Sequence, residues 1–188
     1  MSGIPRTHKK LREAKFFFAQ LLEKEKSVRL GLEDFDFYLS AFLSASCSVS
    51  WVLRAELLQA VQDKRKKNQL RKRFDKWFSD WEMGLAETDQ KLWGFMPNER
   101  GKEVHARGAE VYPVIEMVPV TQIQTRDRRH PAYGITWWGP PGVPPPEVGQ
   151  KVHYFEMGGT REQVVGTCRR YLELLEKLVR DFDNAFPS

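Results

Sequence analysis

The sequence predicts a mainly α protein: an up-and-down helical bundle with a small β insertion before its last helix. Three observations predict it. Apolar residues recur three and four positions apart through the first half of the chain. From about residue 109 to 157 the pattern changes to β-branched and aromatic runs separated by turn formers. After that, helical spacing returns and holds to the end. At 188 residues, with 41% hydrophobic and 29% charged side chains, the chain can bury a substantial core, so a single domain over 1–188 is expected.

The first helix is read in LREAKFFFAQLLEKEKSV, where Leu11, Ala14, Phe18 and Leu21 share a face, and Gly31 breaks the pattern. A second helix is expected from about Glu33 to Gln62, roughly 40 Å long at 1.5 Å per residue and suited to be the spine of the bundle. Phe35, Leu39, Phe42, Ser46, Val49 and Leu53 mark its inner face. Its middle, SASCSVS, has small side chains that admit a close helix, a second copy of the chain or a substrate. A third helix is expected from about Asn68 to Trp81, with Phe74, Trp77, Phe78 and Trp81 as an aromatic core stripe. Gly84 separates it from a shorter helix, Glu87 to Phe95, which Pro97 is expected to end.

In the insertion, VYPVIEMVPV, AYGITWW and KVHYFEM read as two or three strands. Pro113 and Pro119 put their strand at an edge, because proline cannot donate to a ladder. GPPGVPPPEVG holds five of the eleven prolines and reads as a stiff loop. Gly158 and Gly159 read as turn residues. Thr160 and Gln163 match a capping box at the start of the last helix, whose stripe is Val164, Cys168, Tyr171, Leu175, Leu178 and Phe182.

Composition and motifs exclude several function classes. No unbroken apolar run approaches the roughly 18 to 20 residues of a membrane span, and the basic N-terminus has no apolar signal core, so a cytoplasmic protein with no membrane partner is expected. Cys47 and Cys168 sit in apolar helical patterns and read as buried thiols. His8, His105, His130 and His153 are scattered, with no C-x-x-C and no H-E-x-x-H, so no metal and no cofactor are expected. Neither a dinucleotide nor a Walker fingerprint is present, and no G-x-S-x-G marks a serine hydrolase.

Two features carry function. The net charge of +5 is concentrated in DKRKKNQLRKRFDK, where Lys64, Arg65, Lys66, Lys67, Arg71, Lys72 and Arg73 could hold a phosphate backbone without reading its sequence. The alternative is a solvated junction between helices. The second feature is NERGKEVHARG, with Arg100 five places before His105. Histidine moves protons near neutrality, and arginine holds a phosphate bidentately. Together they would suit metal-free cleavage of RNA by its own 2′-hydroxyl. On a straight helix, however, five residues advance about 7.5 Å and turn about 140° past a full turn. The two serve one site only if the helix breaks near Gly101 or two chains bring their copies together.

The long second helix, the late R-x4-H of NERGKEVHARG and the closing helix resemble the HEPN superfamily, whose signature is RN-x-x-x-H. The resemblance covers the helices and leaves out the β insertion. It implies a homodimer with facing motifs and a metal-independent endoribonuclease of toxin or defence type, acting on RNA. It further implies Arg100 and His105 as the catalytic residues and, for toxin members, an antitoxin or other protein partner. Gly101 stands where the family carries a polar residue after the arginine, and Asn98 and Glu99 are the nearby polar groups. Two other readings stand beside this one: a catalytically inactive dimerisation module, and a non-specific nucleic-acid-binding protein driven by Lys64 to Arg73 alone.

Overall fold

The computed structural model describes residues 3–25, 32–105, 111–119 and 147–187, with side chains omitted at 32–33, 103–105, 117–119 and 147–151. Five helices and one sheet follow the expected order: α1 (Pro5–Glu25), α2 (Leu32–Gln59), α3 (Lys64–Met83), α4 (Glu87–His105), β1 (Val111–Pro119), β2 (Glu147–Met157), β3 (Thr160–Gln163) and α5 (Val164–Ala185). The expected break at Gly31, the strand AYGITWW and most of the proline-rich loop lie outside the described residues.

α1 and α2 form an antiparallel pair tied at both ends. At one end the Glu56 carboxylate accepts from the Arg6 and Thr7 backbone N–H groups at 2.6 and 2.7 Å and from the buried Thr7 hydroxyl at 2.7 Å. It thus satisfies the donors that a helix leaves open at its N-terminus, and its charge suits that end of the dipole. At the other end Lys24 meets Asp34 at 2.6 Å. The inner face of α2 is the one the sequence marks: Phe35, Leu39, Phe42, Ser46, Val49 and Leu53 are all buried. α2 also meets α4 and α5. By length and composition only, its stretch Asp34–Gln59 is long and apolar enough to cross a membrane. Half of that stretch is buried inside the protein, as in the core helix of a bundle.

The aromatic stripe of α3 is core, as its spacing predicts. Phe74 and Trp81 are buried, and Trp77 and Phe78 pack with them against Phe182 and Phe186 at the end of α5 and against Trp93 of α4. The polar edges of the indoles are satisfied: Trp81 Nε1 donates to Asp181 at 3.0 Å and Trp93 Nε1 to Glu82 at 2.6 Å.

Three expectations need correction. The basic run lies not in a junction but on α3 itself, which begins at Lys64 behind the N-cap Asp63. Pro97 does not end a helix, since α4 runs through both Pro97 and Gly101 to His105. Proline at 97 removes one backbone bond and costs about 3 kcal/mol in isolation, but it sits on the exposed side, while Leu92, Met96 and Glu99 hold the other side inward. Thr160 and Gln163 form no capping box, for they are the two ends of β3. Gln163 precedes α5 with no side-chain cap, and Thr160 Oγ1 donates to Met157 O at 2.8 Å.

The sheet is antiparallel in the order β1-β2-β3, with proline-bearing β1 at an edge. Gly158 and Gly159, at φ of 61° and 82°, make the two-residue turn between β2 and β3, a conformation that favours glycine at both positions. Phe155 and His153 of β2 pin the sheet to the helices: Phe155 packs on Phe95, and His153 stacks on Phe35 with centroids 3.7 Å apart.

Phe42 is fully buried at the centre of this core, so Phe42→Ala should cost about 3 to 5 kcal/mol in chemical denaturation. Acid dependence provides a second check. Burial works to raise the Asp181 carboxyl, but hydrogen bonds from Lys177 and Trp81 outweigh it and hold it below the usual range. A lowered carboxylate stabilises the fold above its unfolded pKa, and that contribution is lost as pH falls through the folded value. Asp181→Asn should therefore be less stable than wild type at neutral pH, with the gap closing below about pH 4 in urea titrations.

Candidate functional site

α4 sets the chemistry of its C-terminal third by helical spacing. Leu92, Met96 and Glu99 fall on one side and are buried, so Glu99, only 2% exposed, is drawn inward with the apolar stripe. A buried carboxylate requires a partner. Glu99 finds one in Lys102, one turn on, at 2.8 Å, whose long stem reaches solvent. The second Glu99 oxygen, Oε2, has no hydrogen-bond partner among the described residues.

Arg100 is next around the helix and is half-buried. Among the described residues it stands in no ion pair, and its Nε is buried without an acceptor. Its positive charge is the smallest of the influences on the Cys47 thiol of α2. Around Cys47 a small polar layer crosses the core. The Tyr171 hydroxyl of α5 donates to Cys47 Sγ at 3.9 Å, and buried Ser46 donates to Leu43 O at 3.3 Å. Burial pushes the Cys47 thiol up, and hydrogen bonds from Tyr171 and Ser46 and the charge of Arg100 offset part of that. Burial also pushes Tyr171 and Cys168 well up. Both cysteines are free. Arg100 is thus a half-buried cation with no ion pair among the described residues.

His105 is the last residue of α4, and its side chain lies outside the described residues. The backbone fixes its relation to Arg100 all the same. No break occurs at Gly101, so the two positions stay about 7.5 Å apart along one helix and about 140° apart around it. A Cβ built at Gly101 meets nothing within 4 Å, so no neighbour demands glycine there.

The basic run is laid along the solvent side of α3. Arg65, Lys72 and Lys76 lie opposite buried Phe74, and Lys64, Lys66 and Arg71 are exposed on the flanks, while Lys67 is half-buried. Among the described residues none of these stands in an ion pair. Four cations occupy the first turn without an acidic residue among them, where the helix dipole disfavours positive charge. Arg73 differs from the rest. It donates to Ala185 O at 2.9 Å and lies 4.7 Å from the Phe186 ring centroid, closing the C-terminus of α5. The basic run and Arg100 stand on different helices.

The sequence offers Glu99 only as a polar group near Arg100 and SASCSVS as a close-packing or substrate-contact stretch; it does not pair Tyr171 with Cys47 or bury Glu99. The available signal was register: Glu99 continues the Leu92–Met96 spacing that buries its neighbours. Among the described residues no group of three or more His, Cys, Asp or Glu could hold a metal ion. No family model, no curated protein and no solved structure matches the chain.

Because burial raises both thiols, little thiolate forms at mildly alkaline pH. Cys47 and Cys168 should resist a thiol reagent at pH 8 in the native protein and react together, two per chain, once denaturant is added.

Proposed function

We propose that this chain is a HEPN-like RNA-acting protein: a homodimeric, metal-independent endoribonuclease of toxin or defence type, working in the reducing cytoplasm. The observation that carries the reading is Arg100, a half-buried guanidinium whose neighbouring carboxylate, Glu99, is paired to Lys102 instead. A half-buried cation without an ion pair attracts an anion, and a phosphodiester fits its planar donors. Arg100 grips the scissile phosphate and offsets the charge that develops on it. His105 takes the proton from the 2′-hydroxyl or gives one to the leaving 5′ oxygen. As the O2′–P bond forms and the P–O5′ bond breaks, the products are a cyclic phosphate and a free 5′-hydroxyl. The unpaired cations of α3, Lys64 to Lys72, hold the RNA backbone through counterion release, and Arg73 is occupied in closing α5. A toxin of this kind implies a neutralising antitoxin or other protein partner.

A second reading, a dimerisation module without catalysis, is favoured by one feature: the unbroken α4 keeps Arg100 and His105 on different sides of a single chain, with Gly101 between them.

Incubation with mixed RNA in EDTA separates the readings. Cleavage should appear without metal and fall by roughly 100-fold or more in both Arg100→Ala and His105→Ala. Absence of cleavage at every protein concentration removes the enzyme and leaves the module. Charge reversal at Lys66 and Arg71 should weaken RNA retention and flatten its salt dependence; retention lost there but intact in His105→Ala assigns binding to α3 alone.

A further inference from the structure

Trp51, on the outer side of α2, is 71% exposed, the most exposed indole among the described residues. The others are engaged: Trp81 and Trp93 donate to Asp181 and Glu82, and Trp77 packs on Phe74, Phe182 and Phe186. Trp51 enters no hydrogen bond and no ring contact among the described residues. Around it on the helix stand Ser48, Ser50, Arg54 and Ala55.

The Arg54–Asp75 bridge, at 2.9 Å, joins this part of α2 to the middle of α3. Trp51 lies three residues before Arg54, and Lys72 lies three before Asp75. Each is therefore about 4.5 Å along its own helix from the bridge and about 60° round from it. The buried sides, Val49 and Leu53 on α2 and Phe74 and Trp81 on α3, turn the other way. Trp51 and Lys72 thus rise outward from one seam. Arg65 and Lys76 continue the Lys72 side of α3, which makes a row of exposed cations roughly 16 Å long with an indole alongside.

We propose that this seam is a site for single-stranded nucleic acid, with a base stacked on Trp51 and the flanking phosphates along Arg65, Lys72 and Lys76. An indole offers its face to any base, and the cations hold the backbone by charge, so the site reads no sequence. In a duplex the bases already stack on one another, so Trp51 adds affinity for an unpaired strand alone. A lipid surface takes several large apolar groups together. Trp51 instead stands among small and polar neighbours, and Phe37, the other exposed aromatic of α2, is 14 residues or about 21 Å away along the helix. The inference rests on the RNA reading of α3, which it narrows to unpaired strands; it does not require cleavage.

The test measures binding of a mixed-sequence single-stranded oligodeoxynucleotide and of its duplex, probes without the 2′-hydroxyl, to the full chain. Trp51→Ala, checked for native circular dichroism, should weaken the single strand roughly 5- to 100-fold and leave the duplex within about 2-fold of wild type. Its salt dependence should stay as steep, because no phosphate contact is lost. Trp51→Phe should keep most of the affinity, since a ring still stacks. Lys72→Glu with Lys76→Glu should weaken both probes and flatten the salt dependence. A wild type that binds neither probe overturns the proposal. So does a Trp51→Ala protein that holds the single strand as tightly as wild type, or one that loses both probes equally. Trp51-dependent retention on phosphatidylserine vesicles, with the single strand held unchanged, also overturns it and assigns the seam to a lipid surface. RNA cleavage assayed on the same proteins keeps the readings apart. Cleavage alongside an unaffected Trp51→Ala sinks the stacking site alone, and the expected binding without any cleavage sinks the nuclease alone.

Discussion

Burial of one side of α2 along its whole length organises the molecule. Phe35, Leu39, Phe42, Val49 and Leu53 remove an apolar stripe from water that no other single helix could cover. α1 lies along it, tied by Glu56 at one end and by Lys24 and Asp34 at the other, while α4 and α5 meet the rest. The stripe also holds small residues, Ala45, Ser46 and Cys47 among them. Cys47 leaves room for the Tyr171 hydroxyl, which donates to its sulfur.

Electrostatics on α4 follows from this packing. A carboxylate in the buried register must have a counter-charge, and Lys102 supplies it from the solvent edge. That arrangement leaves Arg100 without a described carboxylate, although one precedes it directly in sequence. Exposed ion pairs such as Lys91 with Glu87 contribute little to stability and orient nothing. The Glu99–Lys102 pair matters for a different reason, because its geometry decides which cation remains available to an outside anion.

α3 combines two roles on opposite sides. Its aromatics build a cluster with α4 and α5, and its cations face solvent with no described partner. Charge of one sign at the positive end of a helix opposes helix formation, so packing of Phe74 and Trp81 holds the helix against it. The exception within the run, Arg73, could not be picked out from composition. Its role depends on the place where the end of α5 comes to rest, 112 residues later in the chain.

By itself the sequence determined the element types and their order, because periodicity is local: the inner face of α2, the aromatic side of α3 and the stripe of α5 follow from spacing within one segment, and the edge position of β1 from its two prolines. It also marked the glycine turn, since positive φ is a property of two adjacent residues. Tertiary structure decided the rest. Burial opposite Pro97 carried α4 past a residue that normally stops a helix, and pairing with β2 made a strand of Thr160–Gln163, where local chemistry suggested a cap. The position of Arg100 belongs to the second group. Nothing near residue 100 specifies which helix its own helix meets, and only the tertiary packing of α4 leaves that cation half-buried.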